Sequence, residues 1–375
     1  MKICIVTSVH PPNDPRLYKL CKSVRNLGHE VSLISSWQNQ ADLPGVKFFS
    51  FDLNPGLLGR LKNMKNILSL LKKANADVYH FHDLDLLPMF TFYHIFSGKT
   101  VIYDVHENYS EEVLVRYWIP NLIRIPTYYF VKVTQKICSR IIKNCIVVAN
   151  DVLKEINVKT KHILIHKNYA SVDVAQKRSD DYEARDKVII FTGSQYVENG
   201  TLLFIEIAKL ALNKRNDLIF QCIDRFGNNS SLRERVYAES NSGILKDRFI
   251  LLPNVPSQDL LLYLNKSRIG ISPNLNVPKQ VKAIPTKLFE YMSSGLPIVA
   301  SNLPNNKFYV EDTGVGFLAN PDNPESFVDR IFQLLDNPEQ AKMMGEKGIE
   351  CFYKEFSWES QEQSLNEFYH RVAKG

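Results

Sequence analysis

The stretch Ile284-Pro285-Thr286-Lys287-Leu288-Phe289-Glu290-Tyr291-Met292-Ser293-Ser294-Gly295-Leu296-Pro297 reads as a short helix with marked ends. Pro285 stands where a first helical turn tolerates it, because the N–H it lacks would go unpaired there, and Gly295 stands just past the end. First-turn amides have no partner within the helix, and with the helix dipole they form an anion site. Lys287 adds a positive charge in that turn, and Glu290, one turn on, is placed to accept hydrogen bonds from vicinal hydroxyls such as those of a ribose. Read for packing alone, the same residues make an ordinary helix between two strands, with Lys287 and Glu290 in solvent.

Working outward, short β-rich runs occur at 188–191, 218–223, 249–252, 269–271 and 298–300, with helical spacing at 201–212, 230–240, 257–265 and 286–294 between them. An earlier series has strand candidates at 2–7, 31–34, 77–81, 100–103, 145–149 and 162–165. Its first helix places apolar residues at 17, 20, 21, 24 and 27 and stops at Gly28. Alternation of this kind predicts an α/β fold with parallel sheets covered on both faces by helices. Two series joined by the polar stretch 171–186 predict two Rossmann-like domains, 1–170 and 171–356, and 375 residues are too many for one ordinary core. From Pro324 the tail reads as helical throughout. Ligands of open α/β sheets sit beyond the carboxyl ends of the strands, so the loops after Thr7, Phe81, Tyr103, Phe191, Ile223, Leu252 and Ile271 are the places for a site.

Charged residues are 23% of the chain and hydrophobic residues 45%, a globular balance. The six cysteines form no CxxC pair and no zinc-like cluster, as expected of buried thiols in a reducing compartment. The apolar run after Lys2 is too short for a signal peptide, and no run suits a spanning helix, so a cytoplasmic location is expected. The net charge of +6 is unevenly spread: residues 53–76 and 113–150 contain no acid. Segment 56–73 has apolar residues at 57, 58, 61, 64, 67, 68, 70 and 71 against Arg60, Lys62, Lys65, Lys72 and Lys73, the pattern of a basic amphipathic helix. Arg116 and Trp118 lead a second basic, aromatic segment that includes Tyr117, Tyr128, Tyr129 and Phe130. Together they predict contact with an anionic membrane surface; no nucleic-acid module is present to use the charge.

His106 directly follows a strand between Asp104 and Glu107, and His80, His82 and Asp83 cluster after the preceding strand. A histidine so placed suits hydrogen bonding to a ligand hydroxyl. The pair Asp83 and Asp85 has the DxD spacing that some transferases use for a metal, but its surroundings do not, and no metal is expected. No GxGxxG follows either first strand, which argues against a dehydrogenase, and Ser and Cys nucleophile signatures are absent.

The 284–297 segment resembles the donor site of the retaining glycosyltransferases of family 4, in which a helix carries the Glu that binds the nucleotide ribose. The opening Met1-Lys2-Ile3-Cys4-Ile5-Val6, Asp14-Pro15-Arg16, Leu27-Gly28-His29-Glu30-Val31, Tyr103-Asp104-Val105-His106-Glu107 and Gly193 match other parts of that family in order, over nearly the whole chain. The resemblance implies the GT-B arrangement, two domains across a cleft, with the last helix, 357–373, crossing back to the first. It implies transfer of a hexosyl unit from a UDP-, GDP- or dTDP-linked donor to a saccharide hydroxyl with retention, without metal or other cofactor. A lipid-linked acceptor in capsule, O-antigen or exopolysaccharide synthesis, at the inner face of the plasma membrane, would suit the basic segments. The site residues implied are His106 for catalysis; Gly193, Ser194, Arg225, Thr286, Lys287 and Glu290 for the donor; and Asp14, Arg16, His82, Asp104 and Glu107 for the acceptor. Three positions depart from the family. Lys282 replaces its first Glu, Asn199 stands where a Lys is expected, and Ile223-Asp224-Arg225 replaces a glycine-rich turn. The diphosphate's cations then fall to Lys287 and Arg225. These departures leave two alternatives open: a nucleotide-sugar epimerase or hydrolase of the same fold, or a non-catalytic sugar-nucleotide-binding homologue.

Overall fold

The computed structural model describes the chain except for residues 11–13, 37–42, 55, 107, 116–118, 157–160, 173–181, 228, 256 and 375. Contacts divide it into two compact units, Met1–Asn168 with Gln361–Gly375, and Tyr169–Ser360. The first division lies two residues before the expected one because Tyr169 is buried against Phe289, Tyr309 and Phe356, all of the second unit.

The sheet of the first unit is wholly parallel. Its strands are β1 (Lys2–Val6), β2 (Glu30–Ser35), β3 (Val46–Ser50), β4 (Val78–Phe81), β5 (Thr100–Val105), β6 (Asn144–Val147) and β7 (His162–Ile165). They lie in the order β3-β2-β1-β4-β5-β6-β7. The second unit has β8 (Val188–Phe191), β9 (Ile219–Ile223), β10 (Phe249–Leu252), β11 (Ile269–Ser272), β12 (Ile298–Ser301) and β13 (Gly316–Ala319), also parallel, in the order β10-β9-β8-β11-β12-β13. Each sheet grows outward in both directions from its first strand. The order therefore reverses between β1 and β4 in one and between β8 and β11 in the other, which is where open sheets leave a crevice for ligands.

Period-two burial explains the layers: Ile189 and Phe191 of β8 enter one core, Val188 and Ile190 the other. Strands β3 and β13 escape the sequence pattern. The edge strand β3 is half exposed and does not alternate cleanly. The other is four residues long, and Gly316 lies so close to β12 that an added Cβ would stand 2.0 Å from the Ile298 carbonyl oxygen. The tail is not one continuous helical region. Trp358 N–H donates to the Ala170 carbonyl at 2.8 Å, holding 357–360 on the second unit, and the last helix runs Glu362–Ala373 rather than from Ser357. That helix buries Leu365, Phe368, Tyr369 and Val372 in the first unit, one face at three- and four-residue spacing.

Candidate functional site

In the first unit, polar side chains gather at the carboxyl ends of β1, β4 and β5, on both sides of the reversal. Asp104, at the end of β5, is buried and takes Arg16 Nη2 on both oxygens, at 2.9 and 3.0 Å. His80 Nε2 lies 3.3 Å from Asp104 Oδ2, and His106 Nδ1 lies 3.4 Å from Oδ1. Burial opposes ionisation of Asp104, but the Arg16 charge and the bonds from His106 and His80 outweigh it and hold the carboxyl well below its usual range. An ionised Asp104 can only accept, so His106 gives it Nδ1–H, and in the neutral imidazole Nε2 is then the acceptor. By the same logic His80 gives Nε2–H to Asp104, and its Nδ1 accepts from the Tyr369 hydroxyl at 2.6 Å.

His82, stacked on His80 with ring centroids 4.9 Å apart, is buried 3.4 Å from Asp104 without hydrogen-bond geometry at either ring nitrogen. Burial drives its imidazole well below the ordinary range. Asp14 caps the helix Pro15–Asn26 by accepting from Arg16 N and Leu17 N. It also faces His10 Nδ1 at 3.5 Å, while Asp83 faces His10 Nε2 at 3.3 Å. Those two carboxylates raise the His10 imidazole to about 10. Asp83 accepts from Thr7 Oγ1 and Ser8 N, both at 2.6 Å, and Asp85 accepts from Ser8 Oγ at 2.8 Å. The DxD pair thus ties the loop after β1 to the loop after β4. Among the described residues, His80, His82 and Asp104 are the trio with metal-like spacing, but Arg16 occupies both Asp104 oxygens, and its charge opposes a cation there. Glu107, Arg116 and Trp118 lie outside the described residues.

In the second unit the helix is Lys287–Ser293, so Pro285 precedes it and Thr286, exposed, is its cap. The anion site read from the sequence is reduced. Leu288 N–H already donates to the Pro285 carbonyl, and Phe289 N–H to that of Thr286, in a tight turn that consumes two first-turn amides. The site's distinctive feature is Lys287. Its Nζ is buried with no hydrogen-bond partner in the described structure, 4.4 Å from the Phe191 ring centroid. Burial lowers its pKa to about 7, against a smaller opposing effect of Glu290. Gly193, at the end of β8, has φ +91°, and an added Cβ would lie 3.4 Å from Lys287 Cε. Thr192 Oγ1 donates to Glu290 Oε2 at 3.0 Å, and Thr192 N–H donates to the Tyr291 hydroxyl at 3.0 Å. Glu290 and Lys287 are thus fixed beside the β8 end of the reversal.

Asn199 is held in a side-chain network. Its amide donates to the Ser194 carbonyl at 2.7 Å, and its oxygen accepts from Gln280, which in turn bonds Asn274 after β11. Arg225, after β9, is bonded to Asn254 and to the Val255 carbonyl. Sequence reading missed His10, Thr192 and Tyr369; the first two lie in loops it had marked after Thr7 and Phe191, but nothing local marks Tyr369, whose bond to His80 spans 289 residues.

The helix Gly56–Ala74 forms as read, and Lys62, Lys65, Lys72 and Lys73 are exposed along it. Its apolar side is divided: Ile67 and Leu71 are core, whereas Leu58 and Leu61 are exposed. No helix of the described residues is long and apolar enough to cross a membrane.

Two family models match the chain, that of the glycosyl transferases group 1 over residues 173–350 and that of glycosyltransferase family 4 over residues 16–168. The D-inositol 3-phosphate glycosyltransferase of Corynebacterium glutamicum is 24% identical over 186 residues, 49% of this chain and 43% of that protein. The matches span between about a fifth and a half of the curated relatives' lengths. Among solved structures, Anabaena HepE in complex with UDP superposes with TM-score 0.75 at 13% identity, over 99% of this chain and 100% of that one. WaaG, a glycosyltransferase involved in lipopolysaccharide biosynthesis, gives TM-score 0.68 at 10% identity, over 98% and 99%. The fold is GT-B, two Rossmann-like parallel-sheet domains, and the chain belongs to the group 1, family 4 glycosyltransferases.

Proposed function

We propose that this member of family 4 is a retaining glycosyltransferase that moves a hexosyl unit from a nucleoside-diphosphate sugar to a saccharide hydroxyl. The observation that carries the reading is Lys287, a buried amine whose Nζ has no hydrogen-bond partner, beside Gly193 and Glu290. An isolated buried charge is costly, and a diphosphate at that point would supply its counter-ion. Glu290 then takes the ribose hydroxyls, and Gly193, Ser194, Thr286 and Arg225 border the donor. HepE, with the same fold, has been seen with UDP and with UDP-glucose, which favours a UDP-linked donor.

The first unit suits a neutral acceptor. There His10 and Arg16 face three carboxylates, those of Asp14, Asp83 and Asp104, so the cluster has no positive charge left for a phosphate. His106 Nε2 is left to accept a hydroxyl proton or to hold a sugar hydroxyl, with Arg16, His82 and Asp104 positioning it from beneath. Catalysis is then orientation plus stabilisation of the leaving diphosphate by Lys287, without a metal. The acceptor is a lipid-linked saccharide of a surface polysaccharide, reached from the inner face of the plasma membrane through Lys62, Lys65, Lys72 and Lys73. A second reading, donor binding without transfer, is favoured by Asn199 and Lys282 at positions where the family carries a cation and a carboxylate.

The test is a thermal-shift series with UDP, GDP, dTDP and CMP, followed by turnover of the preferred sugar conjugate against saccharide acceptors. One nucleoside diphosphate should raise Tm, and the product should keep the donor's anomeric configuration by NMR. Stabilisation with no product on any acceptor supports the second reading, and no stabilisation by any nucleotide overturns both.

A further inference from the structure

The first unit carries an apolar surface that none of its cores uses. The helix Asn121–Ile142 buries Val131, Gln135, Cys138, Ser139 and Ile142 on its inner side. On its outer side Leu122, Tyr129, Val133 and Ile137 are exposed, with Phe130 beside them at 71% exposure. Positions 122, 126, 129, 133 and 137 recur every three or four residues and form one stripe. A helix on the surface of a globular fold normally has one apolar face; this one has two. Residues 129, 130, 133, 134, 137 and 138 line an open groove of about 530 Å³. The helix Leu87–Ser97 packs on this one and adds Phe92 and Phe96, exposed and stacked with ring centroids 6.5 Å apart.

We infer that this outer face inserts into the interfacial layer of an anionic bilayer and anchors the first unit by hydrophobic contact as well as by charge. The inference rests on the proposed lipid-surface role and adds the part that embeds. The border of the stripe selects the occupant. Lys132, Lys136, Arg140 and Lys143 lie in or just after the helix, and no acid occurs from 113 to 150. A two-fold contact between copies of the chain would set this positive border against itself. Anionic headgroups meet the basic side chains, while Tyr129, Phe130 and Val133 reach the acyl boundary about 5–10 Å down, the depth at which amphipathic helices lie. Lys132 is suited to such a border, since its ammonium reaches back to the Tyr128 hydroxyl at 2.9 Å rather than outward along the stripe.

Sedimentation with phosphatidylcholine vesicles, with and without phosphatidylglycerol, at low salt and at about 1 M salt, tests this, because salt screens charge but not insertion. Wild type should bind the anionic vesicles and keep a salt-resistant fraction. Combining Tyr129→Ser, Phe130→Ser and Val133→Ser should abolish that fraction and lower partitioning about a hundredfold. Tm and UDP affinity should not change, as all three side chains are exposed and belong to neither site. Replacing Lys62, Lys65, Lys72 and Lys73 with Gln should lower the salt-sensitive part and leave the salt-resistant fraction. Equal binding by wild type and the triple variant at both salts overturns the insertion while the membrane role survives on the lysines. Failure of wild type to bind any vesicle removes both. A concentration-dependent dimer that the triple variant loses would reassign the face to self-association.

Discussion

The two candidate sites occupy the same place in two similar sheets, the carboxyl ends beside the strand-order reversal, yet their electrostatic states are opposite. Around Asp104 the buried charges are matched: Arg16, His80 and His106 all bond the carboxylate, and Asp83 is taken up by Thr7, Ser8 and His10. Around Lys287 the buried charge has no bonded partner, and burial has pushed it to about 7. A matched cluster keeps its geometry with or without ligand and presents oriented dipoles to hydroxyl groups. An unmatched buried cation is incomplete until an anion arrives, so it favours binding of one. On the proposed reading, the same fold carries one preorganised site and one in which desolvated charge favours the ligand.

The strongest way to break this comparison is at Asp104. Asp104→Ala leaves Arg16 buried without its carboxylate and should cost about 3–5 kcal/mol in a urea unfolding curve at pH 7. A loss below about 1 kcal/mol would mean that the cluster is not what holds this site.

Lys287→Met should act in the opposite direction. The folded pKa of about 7 lies below the ordinary 10.5, so the penalty of the buried ammonium is complete below pH 7 and fades as pH rises toward 10.5. The variant should therefore be more stable than wild type at about pH 6, with the gain shrinking toward about pH 10. UDP binding to wild type should take up a proton, and its calorimetric affinity should fall by up to about tenfold per unit between about pH 7.5 and 9.5. In the variant affinity should be weaker and flat over that interval, which lies above the last phosphate ionisation near about 6. A pH slope equal in both proteins would remove Lys287 from the diphosphate.

Glu290→Ala sharpens the second site at lower cost. Loss of hydrogen bonds from ribose to a charged acceptor should weaken UDP binding by about ten- to a hundredfold. The fold should survive, since Thr192 keeps Tyr291 as a partner. Unchanged affinity in a folded variant would sink the ribose assignment. The smallest expected effect is none: transfer should continue in excess EDTA, because Lys287 rather than a metal meets the diphosphate and Asp83 and Asp85 are engaged by Thr7, Ser8 and His10. Loss of turnover restored by manganese would return the pair to a metal role.

Both candidate clusters were legible in the sequence because their residues follow strand runs, as His106 follows β5 and Gly193 follows β8. Sequence reading could not separate contact from support. The resemblance implies acceptor roles for Asp14 and Arg16, and in the fold one caps a helix while the other is bonded to a carboxylate 88 residues away. The sequence placed Lys287 in solvent when read for packing alone, because nothing in the 284–297 segment reports that Phe191 and Gly193 cover it.

What the sequence determined by itself was whatever depends on neighbours along the chain. It set the strand and helix alternation, the cap and stop residues, the reach of the acid-free segments, and the kind of side chain at each strand end. Tertiary structure decided the strand order that brings β1 beside β4 and β8 beside β11, and with it which charges meet. It also decided that the helix Asn121–Ile142 turns a second apolar face outward and that Tyr369 reaches His80. The physical reason is range: backbone propensity and side-chain period act over a few residues. Desolvation and charge pairing depend on which distant segments pack together, and only the closed fold fixes that.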